Sequence, residues 1–479
     1  MIPCAELVLP SIRWDPESGY AKLMPDIERW LALGVGGFIL FGGEREAMRS
    51  LISQLQSAAT HPLLIGSDLE RGAGQQAAGL TGLPPLRALA DLGADAVRDA
   101  ARLTAREARD VGVNWVFAPV VDLDVEPANP IVQTRSFGDD PEQVAALGGA
   151  WIMACQAGGV LACAKHFPGH GRTLTDSHAG LPSVTSSRLV LDADILPFRK
   201  AVEAGVASVM TAHVAYPALD ASGAPATYSA PIVAGLLRRQ LGFEGLVVTD
   251  ALVMEGALQG LDETQGAVRA IAAGCDLLLY PDDVAAVARA LERSAASGAL
   301  QCERLEEAAT RRRDALERVA APMRLENEEL EEGRAGGAEL GRAAVRVLRG
   351  SVPLSARRVR VEIVDDDAGG PFPLPPRSAF AAALRERGLE VADGGDDGDG
   401  GGALVVLVFC DVKSWKCRAG LSDENRARLA ALARDAAAVV LCGHSRRLAD
   451  VPGDCPVLCS WSGDVVMQRA AAARLLPGG

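Results

Sequence analysis

The stretch GGFILFGGEREAMRSLISQLQSAATHPLLIGSD (residues 36–68) contains two short apolar runs separated by a longer, charged and amphipathic segment. Short apolar runs are typical of buried strands, and the segment between them is typical of a helix, so the stretch predicts a β-α-β unit of a parallel α/β fold. The same alternation continues to about residue 280. The eight apolar runs are AELVLP (5–10), GGFILF (36–41), LLIGSD (63–68), NWVFAPVVD (114–122), VLACAKHF (160–167), ASVMTAHV (207–214), LVVTD (246–250) and CDLLLY (275–280).

The number of these runs indicates how the first part of the chain is built. Eight parallel strands, each followed by a helix, close into a (β/α)₈ barrel of the TIM type, which usually needs about 250 residues or more. A doubly wound sheet agrees less well with eight units. We therefore predict an α/β fold with a (β/α)₈ barrel over residues 1–298.

The remaining chain predicts a connector and a second, smaller domain. Residues 299–355 are rich in Glu, Arg, Ala and Leu, and predict exposed helices that leave the barrel. Residues 356–479 alternate apolar runs with helical segments, which predicts a three-layer α/β sandwich domain. Its four runs are VRVEIVD (359–365), ALVVLVFCD (403–411), AAVVLCG (437–443) and PVLCSWSG (456–463).

Composition limits the class of partner. A net charge of −14 and a pI near 5.1 argue against nucleic acid or an anionic membrane as the main partner and favour a small neutral or polar substrate. The first residues, MIPCAELVLPSIRWDPES, have neither the basic start nor the long apolar run of a secretory signal, so we expect a cytoplasmic protein. Ten scattered cysteines without a CxxC pair predict reduced, buried thiols.

Polar residues follow the apolar runs at the positions where barrel chemistry is expected. In a (β/α)₈ barrel the reactive groups collect at the carboxyl ends of the strands. The stretch KHFPGHGRTLTDSH (165–178) also places three of the six histidines within fourteen residues. The candidates are Asp68, Glu70, Asp122, Arg135, Lys165, His166, His213 and Asp250 at strand ends, and His170, Asp176 and His178 in the loop.

A metal site is one interpretation of the histidine cluster. Histidine and carboxylate ligands suit zinc, with His166, His170, Asp176 and His178 as the ligand set. However, the HxxxH spacing runs across a Pro-Gly pair and does not have the one-face helical geometry of a known zinc motif. We therefore expect neither a metal nor a cofactor.

Acid/base chemistry on a carbohydrate is the alternative interpretation. Glycosidic cleavage needs a carboxylate beside the anomeric carbon and a proton donor at the leaving oxygen. Asp250 stands at a rigid strand end, where it can supply the carboxylate. Asp176 lies two residues before His178 and can accept its ring N–H, which fixes the tautomer and raises the pKa of the histidine. The pair can therefore act as a proton shuttle.

These residues also carry a family resemblance. KHFPGHGRTLTDSH followed by AGLP, together with VVTDALVMEGA and NPIVQTRSFG, closely resembles the β-N-acetylglucosaminidase branch of glycoside hydrolase family 3. The motifs cover the whole barrel and occur in the order of the family. The resemblance implies a retaining enzyme with Asp250 as nucleophile and an acid/base dyad of His178 and Asp176.

The resemblance also implies the groups that hold the sugar: Asp68, Arg135, Lys165 and His166. His170 is expected to shape the loop. After Asp68 the chain reads DLERGAGQQ, where the family typically has a Gly-Gly pair and basic residues. The positions concerned are Arg71, Ala73 and Gln76, so the detailed sugar contacts are open. We expect no catalytic role for the second domain, in which Lys413 and His444 stand alone.

The sequence therefore predicts a retaining exo-glycosidase that removes terminal β-N-acetylglucosamine from small oligosaccharides or muropeptide fragments, as in peptidoglycan recycling. A β-glucosidase or β-xylosidase of the same family is the alternative within the class. Phosphorolysis is a further alternative, because a histidine that has given up its proton is neutral and would repel an incoming phosphate less than a glutamate would. The alternative of another class is a sugar-binding protein without catalysis.

Overall fold

The apolar runs of the first 280 residues form the strands of a closed parallel barrel in a computed structural model of the chain. The structure describes residues 4–174, 180–258, 261–352, 354–370, 374–393, 402–413 and 416–476. The barrel strands are β1 (Val8–Leu9), β2 (Ser11–Arg13), β3 (Gly37–Phe41), β4 (Leu64–Ser67), β5 (Trp115–Val116), β6 (Leu161–Phe167), β7 (Ser208–Thr211), β8 (Leu246–Thr249) and β9 (Leu278–Leu279).

The barrel closes because its first strand pairs on both sides. Strands β2 to β8 pair in parallel in chain order, and β1 pairs with β9. A bridge between Val248 and Leu277 joins β8 to β9. β1 and β2 are one strand interrupted at Pro10, which has no N–H to donate, although its carbonyl accepts from Ile39 N at 2.9 Å. The ring therefore has eight strands, which confirms the predicted barrel and excludes the doubly wound sheet.

Helices surround the barrel and pack against it. In α4 (Ala94–Val111), buried residues recur every three or four positions, which is the spacing of one helix face. None of the helices in the described ranges is long and apolar enough to cross a membrane. The helices are α1 (Met24–Leu33), α2 (Arg45–Ala58), α3 (Leu86–Leu92), α4 (Ala94–Val111), α5 (Pro141–Ala157), α6 (Arg188–Glu203), α7 (Glu255–Leu258), α8 (Glu263–Ala273) and α9 (Val284–Ala296), with a π-helical segment at Pro231–Gln240.

Two further helices, α10 (Cys302–Glu317) and α11 (Asn327–Ala344), follow the barrel. α10 lies across the amino ends of the strands, where the buried Arg312 donates from Nε to Gly36 O at 3.0 Å. Arg304 and Arg311 pair with the fully buried Asp276. α10 therefore closes the base of the barrel and differs from the expected exposed connector, because its arginines turn inward to a buried carboxylate.

The C-terminal unit, residues 346–476 as far as described, is a second α/β structure. Its six-stranded sheet has the order β10-β15-β14-β13-β11-β12, and only β10 is antiparallel to its neighbour. Separate hydrophobic clusters lie on the two faces of the sheet. The elements are β10 (Arg346–Arg349), β11 (Arg358–Asp365), β12 (Glu390–Asp393), β13 (Ala403–Phe409), β14 (Ala438–Cys442), β15 (Val457–Cys459), α12 (Ala379–Glu386), α13 (Asp423–Leu432) and α14 (Val465–Arg474).

Polar contacts join the C-terminal unit to the carboxyl ends of the barrel strands. Asp411, which follows β13, pairs with Arg71 of the loop after β4 at 2.8 Å. His444, which follows β14, contacts Asp124 of the loop after β5 at 3.1 Å, and Arg446 pairs with the same carboxylate. His444 was expected to stand alone, and this expectation is wrong, since it is buried in the junction. The exact limits of the predicted domains remain a prediction.

Candidate active site

A pocket of about 150 Å³ opens at the carboxyl ends of the barrel strands. Six of the candidate residues line it: Asp68, Arg135, Lys165, His166, His170 and Asp250. A larger cavity of about 840 Å³ lies at the base of the barrel between α2, α4 and α10, and it contains none of the predicted site residues. The smaller pocket is therefore the candidate active site.

The position of each side chain follows from the strand that carries it. Asp68 and Asp250 come directly after β4 and β8, and Lys165 and His166 belong to the last part of β6. Arg135 ends a short 3₁₀ turn, Gln133–Arg135, in the loop after β5. Because parallel barrel strands end at one face, residues up to 182 positions apart in the sequence (68 to 250) meet at one pocket.

Glu70 holds the two cations of the pocket. Its carboxylate accepts from Arg135 through two bonds, from Nε at 2.9 Å and from Nη2 at 2.8 Å, and lies 2.7 Å from Lys165 Nζ. Lys165 also donates to Asp68 at 2.7 Å. Burial opposes the ionisation of Glu70, but Arg135 and Lys165 outweigh it and hold its pKa well below the ordinary value. Glu70 is therefore an ionised carboxylate that orients both cations.

Asp122 performs the corresponding function for the histidines. Its Oδ2 lies 2.7 Å from His166 Nδ1, and its Oδ1 accepts from the backbone N–H groups of His166 and His170 at 3.1 and 2.7 Å. Burial raises the pKa of Asp122, but the charge and hydrogen bond of His166 outweigh this effect, and the pKa lies below the ordinary value. An Asp122 contact at Nδ1 directs the Nε2 side of His166 toward the pocket.

His170 belongs to the base of the loop after β6. Its Nδ1 lies 2.8 Å from Thr173 Oγ1, and its carbonyl accepts from Asn129 Nδ2 at 3.0 Å. Burial, together with the neighbouring His166, lowers the pKa of His170 to about 4. His170 is therefore neutral near pH 7, and these contacts agree with the expected role in loop shape.

Asp250 stands at the end of β8 with its side chain partly exposed to the pocket. Its Oδ1 accepts from the backbone N–H of Ala251 at 2.8 Å, which fixes the carboxylate to the end of the strand. The predicted acid/base dyad, Asp176 and His178, lies outside the described residues. The apolar part of the wall consists of Ile39, Phe41, Phe117, Ile131, Met210, Met254, Leu279 and Tyr280.

His213 and Tyr216 support this wall from behind. His213 Nε2 lies 3.1 Å from Ala251 O, next to Asp250, and Tyr216 donates to Gly169 O at 2.8 Å. Within the described residues, no group of three or more His, Cys, Asp or Glu side chains is arranged to hold a metal ion.

Sequence reasoning did not assign roles to Glu70 or Asp122, although both stand among the polar residues that follow the strands. Their positions at strand ends indicated a role in the site. Position alone, however, does not distinguish side chains that line the pocket from side chains that orient the lining residues. Sequence reasoning also missed the partners of Arg71. Arg71 pairs with Asp411 and Asp464 of the C-terminal unit, both at 2.8 Å, and these lie 340 and 393 residues away in the sequence.

Comparison with known proteins agrees with this site. The family described as Glycosyl hydrolase family 3 N terminal domain matches residues 6–313. A protein of Cellulomonas fimi named beta-N-acetylglucosaminidase/beta-glucosidase is 40% identical over 291 residues, covering 58% of this chain and 51% of that protein. A beta-hexosaminidase of Thiobacillus denitrificans is 39% identical over 259 residues, covering 51% of this chain and 71% of that protein.

The similarity to solved structures extends over nearly the whole chain. A glycoside hydrolase family 3 beta-N-acetylglucosaminidase from Paenibacillus sp. str. FPU-7 superposes with a TM-score of 0.86 at 28% identity, covering 99% of this chain and 95% of that one. By sequence, the chain spans about half the length of the first two curated relatives that it matches. The family match over the barrel nevertheless includes every residue of the pocket, and the chain belongs to glycosyl hydrolase family 3.

Proposed function

We propose that the protein is a retaining exo-glycosidase that removes terminal β-N-acetylglucosamine from small oligosaccharides or muropeptide fragments. The observation that carries the proposal is the meeting of Asp250 with Asp68, Arg135, Lys165 and His166 around one small pocket at the carboxyl ends of the barrel strands. A carboxylate beside fixed donors and acceptors is the arrangement that a glycosyl transfer requires.

In the proposed reaction, Asp250 attacks the anomeric carbon and forms a glycosyl-enzyme ester. His178 donates a proton to the departing oxygen, with Asp176 holding its other ring nitrogen. Water then attacks the ester while His178 accepts its proton, and Asp250 leaves as a carboxylate. Two displacements at one carbon return the sugar with its original β configuration.

The remaining residues of the pocket would hold the sugar. Lys165 and Arg135 offer N–H donors to hydroxyl oxygens, and Asp68 offers a carboxylate acceptor to hydroxyl hydrogens. Because Glu70 already fixes the two cations, their side chains lose little conformational entropy when the sugar binds. Aromatic side chains in the pocket lining, such as Phe117 and Tyr280, suit the carbon face of a pyranose ring.

The preference for N-acetylglucosamine is supported by the names of the relatives. The two bacterial relatives are called beta-N-acetylglucosaminidase/beta-glucosidase and beta-hexosaminidase, and the structural neighbour is a beta-N-acetylglucosaminidase. The TDSH loop of residues 175–178 agrees with this branch of the family. The first of these names includes glucosidase activity, so the glucoside belongs in the test.

The test is a panel of aryl β-glycosides, consisting of the N-acetylglucosaminide, the glucoside and the xyloside. We expect turnover mainly of the N-acetylglucosaminide, with the product sugar released as the β anomer by NMR. Turnover of the glucoside or xyloside alone would contradict the proposed substrate, but it would not contradict the role of Asp250 as nucleophile. Repeating the assay with phosphate distinguishes hydrolysis from phosphorolysis, because only phosphorolysis yields a sugar phosphate.

Two variants test the mechanism. Asp250→Asn keeps the shape of the nucleophile but not its charge, and we expect the rate to fall by about four orders of magnitude. Asp282→Asn is the matched control, since Asp282 is an exposed residue of the loop after β9 at the same end of the barrel. His178→Ala should retain activity mainly on substrates with good leaving groups, which need no proton.

The non-catalytic alternative gives a different result. A sugar-binding protein would bind N-acetylglucosamine in calorimetry but release no aryl alcohol from any glycoside of the panel. That outcome would overturn the proposal, and Asp250→Asn would then leave the only measurable property, binding, nearly unchanged.

We also propose that the protein acts in the cytoplasm. Seven of the ten cysteines are buried thiols, which suits a reducing compartment. Cell fractionation with an antibody against the chain tests this, and recovery in the culture medium or the envelope would contradict it.

A further inference from the structure

Two loops of the barrel carry the Glu70–Arg135 pair, and in each loop a neighbouring residue contacts the C-terminal unit. Arg71 follows Glu70, and Thr134 precedes Arg135. Arg71 Nη1 donates to Asp411 Oδ2 at 2.8 Å, and Thr134 Oγ1 donates to Asp411 Oδ1 at 3.1 Å. One carboxylate of the C-terminal unit therefore ties together the two loops, with one oxygen for each.

Asp411 is held firmly enough to act as this tie. It follows the buried strand β13, and its side chain is only 2% exposed. Its own backbone N–H donates to Asp367 Oδ2 at 3.3 Å, and its Oδ1 also accepts from Val412 N at 2.8 Å. Burial raises the pKa of Asp411, but Arg71 outweighs this effect and lowers the pKa to about 2, so the carboxylate is ionised at neutral pH.

Arg71 is fixed on the other side as well. The same Nη1 atom donates to Asp464 Oδ2 at 2.8 Å, and Ser462 Oγ donates to that Asp464 oxygen at 2.8 Å. The guanidinium thus bridges two carboxylates of the C-terminal unit. Because Arg71 is one residue from Glu70, its position limits where the Glu70 carboxylate, and with it Arg135 and Lys165, can lie.

We propose that Asp411 is a positioning residue for the substrate pocket, through which the C-terminal unit sets the geometry of the Glu70–Arg135 pair. This inference rests on the proposed function. Asp411 acts through Arg71 and Thr134, neither of which is among the residues that line the pocket. A site whose supporting residues leave it about 1 Å too loose loses function. Because Arg135 and Lys165 would hold the sugar, the tie affects substrate affinity as well as the stability of the junction.

The alternative is that Asp411 only stabilises the contact between the two parts of the molecule. A matched control separates the two roles. Asp91 of α3 pairs with Arg346 of β10 at 2.7 Å, which joins the same two parts away from the pocket. Asp91→Asn therefore removes a junction ion pair whose two partners belong to neither loop, and Asp411→Asn removes the tie.

The experiment measures KM and kcat for the aryl β-N-acetylglucosaminide, and the Ki of free N-acetylglucosamine, for the whole chain and each variant. For Asp411→Asn we expect KM and Ki to rise together by about tenfold, with kcat changed by less than about threefold, the pattern of lost substrate binding. Thr134→Val removes one of the two contacts and should raise KM in the same direction by about threefold. Asp91→Asn should leave all three constants unchanged.

Several outcomes would overturn the inference. Unchanged KM and Ki in Asp411→Asn would do so, as would an equal change in Asp91→Asn. If Asp411→Asn does not fold, as judged by circular dichroism, the Thr134→Val result decides alone, and a KM equal to the wild type rejects the tie. If the wild type turns over no glycoside, the proposed function fails, and the inference is then judged by calorimetry with N-acetylglucosamine. A wild type that binds no sugar overturns both.

Discussion

Glu70 illustrates how one buried residue organises this pocket. Lys165 and Arg135 carry like charges close together, and each would repel the other without a shared anion between them. The Glu70 carboxylate provides that anion with an exposed side-chain fraction of only 7%. Buried ion pairs add little stability over an apolar replacement, but the removal of one partner leaves an uncompensated charge. The whole arrangement therefore depends on this carboxylate.

Glu70→Gln should be strongly destabilising for this reason. Glutamine keeps the shape and can still accept a hydrogen bond, but it removes one of the two ion pairs of Lys165 and the ion pair of Arg135. We expect the free energy of unfolding at pH 7 to fall by about 3 to 5 kcal/mol. Urea unfolding followed by circular dichroism measures it.

The control is Glu331→Gln on the surface of α11. Glu331 pairs with Arg334 at 2.8 Å in an exposed i, i+3 pair, and such pairs add little to stability. We expect no measurable change in its urea midpoint. Equal midpoints for Glu70→Gln and the wild type would contradict the role assigned to Glu70.

At the scale of elements, α11 connects the barrel helices to the C-terminal unit through close backbone contact. Gly333, Gly337 and Gly341 are buried at intervals of four residues along one face of the helix. Gly333 lies against Glu107 of α4, and Gly341 lies against Val466 of α14. Glycine permits this distance because a larger side chain would separate the helices.

Gly337→Ala should therefore destabilise the protein. A β-carbon at this position would lie 2.5 Å from Thr81 Cγ2 and 2.9 Å from Gly82 O, which is too close for both. We expect a loss of about 1 to 3 kcal/mol in the free energy of unfolding, the usual effect of overpacking. Urea unfolding measures the loss.

The adjacent Gly336 is the matched control on the same helix. A β-carbon at Gly336 would meet no atom within 4 Å. Gly336→Ala should therefore stabilise the protein by about 0.5 to 1 kcal/mol, because alanine restricts the unfolded chain. A gain of stability in both variants would show that helix propensity, and not the close contact with Thr81, decides the effect.

At the scale of the whole molecule, the sequence predicts local elements better than the contacts between them. Every barrel strand falls within or directly beside an apolar run, because burial on both faces leaves a clear compositional signal. The packing of α10 was harder to predict, because its arginines resemble those of a solvent-exposed helix face. Only the structure shows that two of them pair with the buried Asp276. Edge strands β10 and β12 of the C-terminal unit were missed because short, half-exposed strands lack a continuous apolar run.

The candidate site shows the same limit. Strand-end positions and the family motifs brought Asp68, Arg135, Lys165, His166 and Asp250 to one place, and these residues do share a pocket. The junction residues were out of reach, because nothing local to Arg71 or His444 indicates a partner hundreds of residues away. Only the packing of the C-terminal unit against the barrel brings these charges together.

The dependence of stability on pH is also a property of the whole molecule, because separate groups contribute with opposite signs. Burial, opposed by Lys416, raises the pKa of Asp367 from 3.8 to about 6. The contribution of Asp367 to the free energy of unfolding is fully present below about pH 4 and is lost as the pH rises through 6. His170, whose pKa falls from 6.5 to about 4, contributes fully above pH 6.5 and loses this as the pH falls through 4.

Variants at the two positions should therefore separate contributions that nearly cancel in the wild type between pH 4 and 6.5. Each shift corresponds to about 3 kcal/mol of unfolding free energy over this range. Relative to the wild type, Asp367→Asn should gain stability as the pH rises, because it lacks the buried acid, whereas His170→Asn should lose stability over the same interval. Urea unfolding at half-unit pH steps measures both differences, and parallel curves for the three proteins would show that neither group titrates abnormally in the folded state.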